Sequence, residues 1–113
     1  MTRLEVKSKT WIEANGKFII GEGGIGLLEA IERLGSIQLA AKHLGWSYRH
    51  TWGYLKNMER NSGMQFIVAR HGGTARGGTE LTPEGVKLLR EYRRFQKELR
   101  TTVKRRSRLL FSY

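Results

Sequence analysis

Apolar residues at helical spacing mark two short helices in the middle of the chain. The first set is Ile37, Ala40, Ala41 and Leu44, and the second set is Thr51, Leu55 and Met58. Intervals of three and four place each set on one helix face. Ser36 and Ser47 stand where N-caps are needed, and Gly45 allows a tight turn between the segments. The pattern predicts a helix-turn-helix over residues 36–62; an ordinary helical hairpin with a solvated charged face is the alternative.

Two β-hairpins are predicted, one on each side of this motif. In residues 3–20, apolar and charged side chains alternate before Asn15-Gly16, a strong signal for a tight turn. Residues 66–81 hold an apolar run, a tip with several glycines and a return segment. This arrangement is typical of the wing of a winged helix. The alternatives are a ragged N-terminal arm for the first hairpin and a disordered loop for the second.

A glycine-rich stretch over residues 22–26 precedes the first predicted helix, which covers residues 27–34. Glycine clusters interrupt regular structure, so we expect a hinge at this point. A phosphate-binding loop is the alternative. That reading fits less well, because no Lys-Ser/Thr pair follows and the surrounding pattern does not predict a parallel βαβ unit.

A long helix is predicted at the end of the chain. Thr82, Pro83 and Glu84 supply an N-cap, a proline in the first position and an acid in the first turn. The helix is expected to run from Pro83 to about residue 106. Its predicted dimer seam steps by four and three and comprises Leu88, Tyr92, Phe95 and Leu99. The apolar tail over residues 109–113 could pack back on the domain, cross to a second subunit, or fray.

These elements together predict a mainly α fold with small β elements, of the α+β class. The predicted winged helix-turn-helix with its N-terminal β-hairpin occupies residues 1–82. The long C-terminal dimerisation helix and tail, residues 83–113, belong to the same domain. The total length of 113 residues allows one modest hydrophobic core.

Charge adds a partner class to this fold. The 21 basic residues outnumber the 10 acidic residues, and the formal net charge is +11 with a pI near 10.6. Such a balance is typical of a polyanion binder, and an anionic membrane surface is the alternative partner. No apolar run approaches the roughly 20 residues of a membrane-spanning helix. We therefore expect double-stranded DNA as the partner, no membrane, and a cytoplasmic, nucleoid-associated protein.

Catalysis and metal binding are not expected. The chain has no cysteine and three scattered histidines, which excludes disulfides and leaves no recognisable ligand spacing. No paired carboxylates and no nucleophile with a nearby base stand at a catalytic spacing. The sequence therefore predicts no enzyme activity, no metal and no cofactor.

The candidate DNA-binding residues lie on the second motif helix, the first motif helix and the wing. On the second helix they are Ser47, Tyr48, Arg49, His50, Gly53, Lys56, Asn57 and Arg60, and elsewhere they are Ser36, Lys42, Arg70, His71, Thr74 and Arg76. Arg49 is the candidate for a base-edge contact, because a guanidinium matches two acceptors of guanine. Lys42, Lys56 and Arg60 are candidates for phosphate contacts. A solvated surface charge is the alternative for each of them.

The order of elements and several short motifs resemble the N-terminal domain of ModE-type molybdate-responsive transcription regulators, which is related to the LysR-type winged helix. The matching residues are Gly35-Ser36-Ile37, Ala40-Ala41-Lys42, Ser47-Tyr48-Arg49 with Trp52, the glycine-rich run 72–78, and Leu81-Thr82-Pro83-Glu84-Gly85. The resemblance covers roughly residues 17–95. It implies a winged-helix domain that dimerises and binds an operator.

Two departures from this family qualify what the resemblance implies. Molybdate-sensing members carry C-terminal oxyanion-binding domains, whereas this chain ends at Tyr113. We therefore expect DNA binding but not molybdate binding by this chain. Gly53 stands where an acidic residue often lies in the family, which leaves the operator sequence open. A non-specific architectural DNA-binding protein, or an adaptor that binds a protein partner through the long helix, are the alternative functions.

Overall fold

Four helices and two short antiparallel hairpins make up the part of the chain that the structure, a computed structural model, describes: residues 4–70 and 78–111. In chain order the elements are β1 (Ile12–Ala14), β2 (Lys17–Ile20), α1 (Glu22–Leu34), α2 (Ile37–Leu44), α3 (Tyr48–Ser62), β3 (Ile67–Ala69), β4 (Thr79–Leu81) and α4 (Pro83–Leu110). Strands β1 and β2 pair with each other, as do β3 and β4. The predicted α+β class and winged helix-turn-helix fold are confirmed.

The predicted caps account for the boundaries of the helix-turn-helix. The Ser36 hydroxyl accepts a hydrogen bond from the Leu39 amide at 3.1 Å, and the Ser47 hydroxyl accepts one from the His50 amide at 3.0 Å. Helix α2 ends at Gly45, whose φ of 73° lies in the left-handed region that favours glycine. Helices α2 and α3 therefore begin and end close to the positions that the sequence predicted.

The predicted hinge at residues 22–26 is wrong, because helix α1 already begins at Glu22. Gly24 is buried beneath α3 in this first part of the helix. A Cβ atom at Gly24 would lie 2.4 Å from the Tyr54 hydroxyl oxygen and 2.5 Å from Cγ1 of Ile20. The glycine is thus needed for close packing between elements, which a sequence pattern does not distinguish from flexibility.

The N-terminal hairpin is shorter than predicted. Its turn has the predicted Asn15-Gly16, both with positive φ, but β1 begins only at Ile12, and residues 4–11 form no strand. Its partner β2 is four residues long and leads through Gly21 into α1. In the described part of the chain, residues 4–11 pair with no strand. The tip of the second hairpin, residues 71–77, lies outside the described part of the chain.

Helix α1 lies at the centre of the hydrophobic core. Ile25, Leu27, Leu28 and Ile31 of this helix are fully buried. They belong to one cluster with residues of β2, α2, α3, the segment before β3 and the inner part of α4, including Ile20, Ala40, Leu55, Met58, Phe66 and Leu89. Ala40 of α2 is also fully buried, and its small side chain lets α2 cross close to its neighbours. The core fixes α3 on one side of α1 and the first turns of α4 on another.

Helix α4 has 28 residues, which corresponds to about 42 Å at 1.5 Å per residue. It extends to Leu110, beyond the predicted end near residue 106, so two residues of the apolar tail continue the helix with exposed side chains. The segment 4–10 lies beside its outer part, and the two line a groove together with Leu99, Val103 and Phe111. The outer half of α4 therefore lies away from the hydrophobic core.

The predicted dimer seam on α4 requires one correction. Tyr92 is 4% exposed, belongs to the core of its own protomer, and donates a hydrogen bond to the Thr10 carbonyl at 2.7 Å. Leu88 is partly buried against the same core, whereas Phe95 is 56% exposed. The spacing of four and three predicts one continuous seam, but the fold divides these residues between the protomer's own core and an outer stripe.

Candidate nucleic-acid interface

The outward face of α3 carries the predicted recognition residues. Thr51, Leu55 and Met58 bury the opposite face of this helix. The side chains that the structure leaves exposed on α3 include Tyr48, Arg49, His50, Lys56, Asn57 and Arg60, and Gly53 is exposed among them. A Cβ atom at Gly53 would have nothing within 4 Å. The outward face is therefore an open surface on a helix that is anchored along its inner side.

The basic side chains of this face lack acidic partners. Within residues 4–70 and 78–111, no ion pair involves Arg49, Lys56 or Arg60. Arg60 donates to the side-chain oxygen of Asn57 at 3.1 Å, and the Lys56 ammonium lies 5.7 Å from the ring centre of Trp52. These contacts orient the basic groups without neutralising their charge, so the face attracts anions.

Aromatic and amide side chains fix α3 relative to the N-terminal hairpin. The Tyr54 hydroxyl accepts a hydrogen bond from the Gly21 amide at 3.1 Å, and the Asn61 amide donates to the Phe18 carbonyl at 2.9 Å. Burial raises the pKa of Tyr54 above its ordinary value, although hydrogen bonds from backbone amides oppose this shift. The hairpin therefore supports α3 from one flank.

Trp46 extends this support and changes the interpretation of His50. Its ring lies 4.8 Å from that of His50 and 5.5 Å from that of Tyr54. His50 is thus placed on the flank of α3 that meets Trp46 rather than at the centre of the open face. Trp46, Tyr54 and Asn61 are not among the site residues predicted from the sequence, although aromatic residues four apart at positions 46, 50 and 54 are a visible signal.

The base of the wing is joined to the start of α2. The Arg70 amide donates to the Gly78 carbonyl at 3.0 Å, and the Thr79 amide donates to the Gly35 carbonyl at 2.9 Å. The Arg70 guanidinium packs so closely on Gly35 that a Cβ atom there would lie 2.8 Å from Nη2. The fold therefore brings Arg70 beside the turn that holds Ser36.

The remaining predicted site residues divide into two groups. Lys42 is exposed in the last turn of α2, apart from the α3 face. His71, Thr74 and Arg76 of the predicted wing tip lie outside the described residues. The structure therefore gives positions for the recognition helix and the base of the wing.

The described residues contain little that suggests other chemistry. They hold no group of three or more His, Cys, Asp or Glu side chains arranged to bind a metal ion. Among the same residues, every buried side-chain nitrogen or oxygen atom has a hydrogen-bond partner. The helices described between residues 4 and 111 include none that is both long and apolar enough to cross a bilayer.

The fold has a buried first helix, a helix-turn-helix with an exposed basic second helix, a two-stranded wing and a long following helix. These elements define the winged helix-turn-helix class of DNA-binding transcription regulators. Within this class, the chain belongs to the family described as "Bacterial regulatory helix-turn-helix protein, lysR family", which matches residues 25–86. The match begins after the N-terminal hairpin and includes α2, α3 and the wing.

Named relatives connect the chain more closely to ModE proteins. It is 32% identical over 110 residues to the "Molybdenum transport protein ModE" of Azotobacter vinelandii, which covers 97% of this chain and 41% of that protein. It is 40% identical over 73 residues to the "Molybdenum-pterin-binding protein MopB" of Rhodobacter capsulatus, covering 65% of this chain and 27% of that protein. The chain thus spans less than half the length of these relatives. The resemblance to ModE-type regulators is confirmed.

A solved structure supports the same fold. The chain in the "Crystal structure of CbnR_DBD-DNA complex" superimposes with a TM-score of 0.56 and 27% sequence identity. The similar region covers 75% of this chain and 91% of that chain. Almost the whole of the neighbour's chain is therefore matched by a part of the present chain.

Proposed function

We propose that this chain binds double-stranded DNA as a homodimer and regulates transcription from a specific operator. The observation that carries the proposal is the open basic face of α3, whose cationic groups have no carboxylate partner among the described residues. A helix of this kind fits the major groove of B-DNA. The structural neighbour was solved as a complex with DNA, which supports DNA as the partner.

Within this proposal, the α3 residues divide between reading bases and holding the backbone. Arg49 reads a guanine through its two parallel donors, and Gly53 lets the helix approach the bases closely because it has no side chain. Lys56 and Arg60 contact phosphates, which position the protein without reading sequence. The remaining members of the proposed interface are the N-cap Ser47 and Tyr48, His50 and Asn57 of α3, with Ser36, Lys42 and Arg70 outside this helix, and His71, Thr74 and Arg76 on sequence grounds alone.

Salt dependence tests the DNA-binding proposal. If each protomer neutralises about four phosphates, a dimer neutralises about eight, and log K should fall with log salt concentration at a slope near −7. Fluorescence anisotropy on duplexes selected from random DNA by this protein gives the slope. Heparin is the control polyanion. A flat salt response, or equal affinity for heparin and for the selected duplex, would contradict the proposal.

The outer stripe of α4 is proposed as the dimer seam. Phe95 is largely exposed, Leu99 lies one turn further along the same face, and the helix continues well past both residues. An apolar stripe of this kind is covered when the helix pairs with its copy. Leu88 contributes from the edge of the core, whereas the buried Tyr92 does not.

Sedimentation tests the seam. The substitutions Phe95→Glu and Leu99→Glu together should convert a dimer at micromolar concentration into a monomer. Thr101→Glu is the control, because it adds one acid on a different face of the same helix. A wild-type chain that is already monomeric, or a double variant that remains dimeric, would contradict this dimer seam.

A second candidate function is non-specific architectural DNA binding. It is favoured by the outer half of α4, where Lys97, Arg100, Lys104, Arg105, Arg106 and Arg108 are all exposed. A large excess of positive charge along one helix binds phosphate without reading sequence. The ratio of affinities for the selected duplex and for random DNA separates the two functions: a regulator should show at least about a thousandfold preference.

Molybdate is not included in the proposed function. The names of the two relatives described above refer to molybdenum, but the matched regions cover 27–41% of those proteins. A tetrahedral oxyanion needs several converging donors in a site shielded from water. Titration calorimetry of this chain with molybdate should give no micromolar binding at physiological salt.

A further inference from the structure

The inner half of α4 is attached to α1 by a cluster of charged and polar side chains. We name this cluster the α1–α4 clasp; it comprises Glu22, Glu29 and Glu32 of α1 with Arg90, Arg93 and Gln96 of α4. Arg90 donates two hydrogen bonds to Glu32, at 3.2 and 2.9 Å. The clasp lies on a different part of the fold from the open face of α3.

Arg93 is the centre of the clasp because it joins two acidic side chains. Its Nη1 donates to Glu22 at 3.0 Å, and its Nε donates to Glu29 at 3.2 Å while Nη2 donates to the other oxygen of the same carboxylate. Gln96 also donates to Glu22. The hydrogen bonds with Glu29 raise the pKa of the Arg93 guanidinium above its ordinary value.

These ion pairs fix direction more than they stabilise the fold. The side chains of Arg93 and Arg90 are 36% and 61% exposed, and pairs in such positions contribute only about 0–1 kcal/mol each. Their geometry is nevertheless restrictive, because two paired guanidiniums one turn apart hold α4 against one helix. The Tyr92 hydroxyl, which lies between Arg90 and Arg93 in the sequence, also donates a hydrogen bond to the Thr10 carbonyl of the N-terminal segment.

We infer that the α1–α4 clasp sets the direction of α4 relative to the recognition helix, and thereby the spacing of the two DNA half-sites that the dimer accepts. The inference rests on the proposed function, since it requires a homodimer joined through the outer half of α4. From Arg93 to Leu110 the helix extends about 26 Å at 1.5 Å per residue. A tilt of about 10° at the clasp would displace its end by roughly 4–5 Å, more than the 3.4 Å rise of one base pair.

Neighbouring residues provide a matched control. Arg94 follows Arg93 directly and is more exposed, and its one ion pair within residues 4–70 and 78–111 is with Glu98 of its own helix, at 3.7 Å. Removing Arg94 therefore changes the net charge by the same amount as removing Arg93 and leaves the clasp intact. Glu29→Gln breaks the clasp from the other side and keeps every basic residue, so a loss of phosphate contacts cannot explain its effect.

The test measures binding to a series of duplexes with two half-sites separated in steps of one base pair. The half-site is first selected from random double-stranded DNA by the wild-type chain. Wild type and Arg94→Ala should prefer one spacing and lose at least tenfold in affinity two base pairs away. Arg93→Ala and Glu29→Gln should lose less than threefold over the same range, while their affinity for a single half-site matches that of Arg94→Ala within about twofold.

A charge exchange provides the rescue. Glu32→Arg combined with Arg90→Glu should restore part of the spacing preference that Arg90→Glu alone loses, because these two side chains can pair again in reverse. Arg90→Ala and Glu32→Gln repeat the measurement at the second ion pair, which keeps the inference testable if a change at Arg93 prevents folding. Circular dichroism identifies the variants that retain the fold.

Two different failures can be distinguished. If wild type shows a sharp spacing preference and all folded clasp variants keep it, the inference is overturned and the proposed function stands. If wild type selects no duplex, or binds all spacings and single half-sites equally, the proposed dimeric function fails and the inference fails with it.

Discussion

Helices α3 and α4 are both basic, but their charges have different surroundings. On α3, the cationic groups of Arg49, Lys56 and Arg60 form no ion pair within the described residues. On the inner half of α4, Arg90 and Arg93 are paired with acidic residues of α1. The same residue type therefore occupies an open surface in one helix and a contact between elements in the other.

The difference shows how a strongly basic chain distributes its few acids. All ten acidic residues are glutamates, and three of them lie in the α1–α4 clasp. Pairing lowers the local positive charge where α4 must keep a fixed direction. The absence of pairing on the open face of α3 preserves the charge that a polyanion would meet. Net charge alone describes neither arrangement.

The largest expected effect is a loss of DNA affinity, and it should differ between an arginine of α3 and an arginine of α4. Arg49→Ala should weaken binding to a single half-site by about 1–3 kcal/mol and relax the choice at one base pair. Arg90→Ala removes the same charge but should weaken single-site binding by less than about 0.5 kcal/mol, because its guanidinium already pairs with Glu32. Fluorescence anisotropy with a set of half-site variants gives both values. Equal losses would show that the open face does not read DNA.

A second comparison uses one glycine from each helix. A Cβ atom at Gly85 of α4 would lie 2.3 Å from the Phe66 carbonyl oxygen, a backbone atom with little freedom to move. Gly85→Ala should therefore destabilise the fold by about 1–3 kcal/mol. Gly53→Ala of α3 meets open space and should stabilise it by about 0.5–1 kcal/mol, because alanine favours a helix. Urea unfolding measures both; effects of the same sign would contradict the packing described for these two positions.

The smallest expected effect concerns one tyrosine from each helix. Burial raises the pKa of Tyr54 and of Tyr92 above the ordinary 10.0, and the charge of Glu22 raises that of Tyr92 further. The folded state therefore holds both phenolic protons more tightly than the unfolded state. This contribution to stability is complete below pH 10 and is lost as the pH rises through the raised values.

Lysine side chains titrate in the same pH range. Tyrosine-to-phenylalanine variants separate the contribution of the two phenols from that of the lysines. Tyr92→Phe and Tyr54→Phe should each make the free energy of unfolding fall less steeply above pH 10 than it does in wild type. Denaturant unfolding at pH 9, 10 and 11 measures the slopes. Identical slopes in wild type and both variants would show that neither phenol contributes.

Local signals in the sequence predicted the elements that depend on local physics. The hydroxyls of Ser36 and Ser47 cap helices within three residues of themselves, and Asn15-Gly16 closes a two-residue turn. The outward position of Arg49 followed from the apolar spacing of α3 alone. In each case the interacting groups are near neighbours in the chain, so the pattern contains the whole cause.

Tertiary structure decided the features in which distant residues meet. Gly24 belongs to a helix rather than a hinge because Tyr54, thirty positions away, packs against it. Tyr92 is buried rather than free for a partner because the core and the Thr10 carbonyl surround it. The pairing of Arg93 with Glu22 and Glu29 spans more than sixty residues. The sequence alone determined a basic winged helix-turn-helix, whereas the fold selected which of its charges are paired, because the distance between two side chains depends on the path of the whole chain.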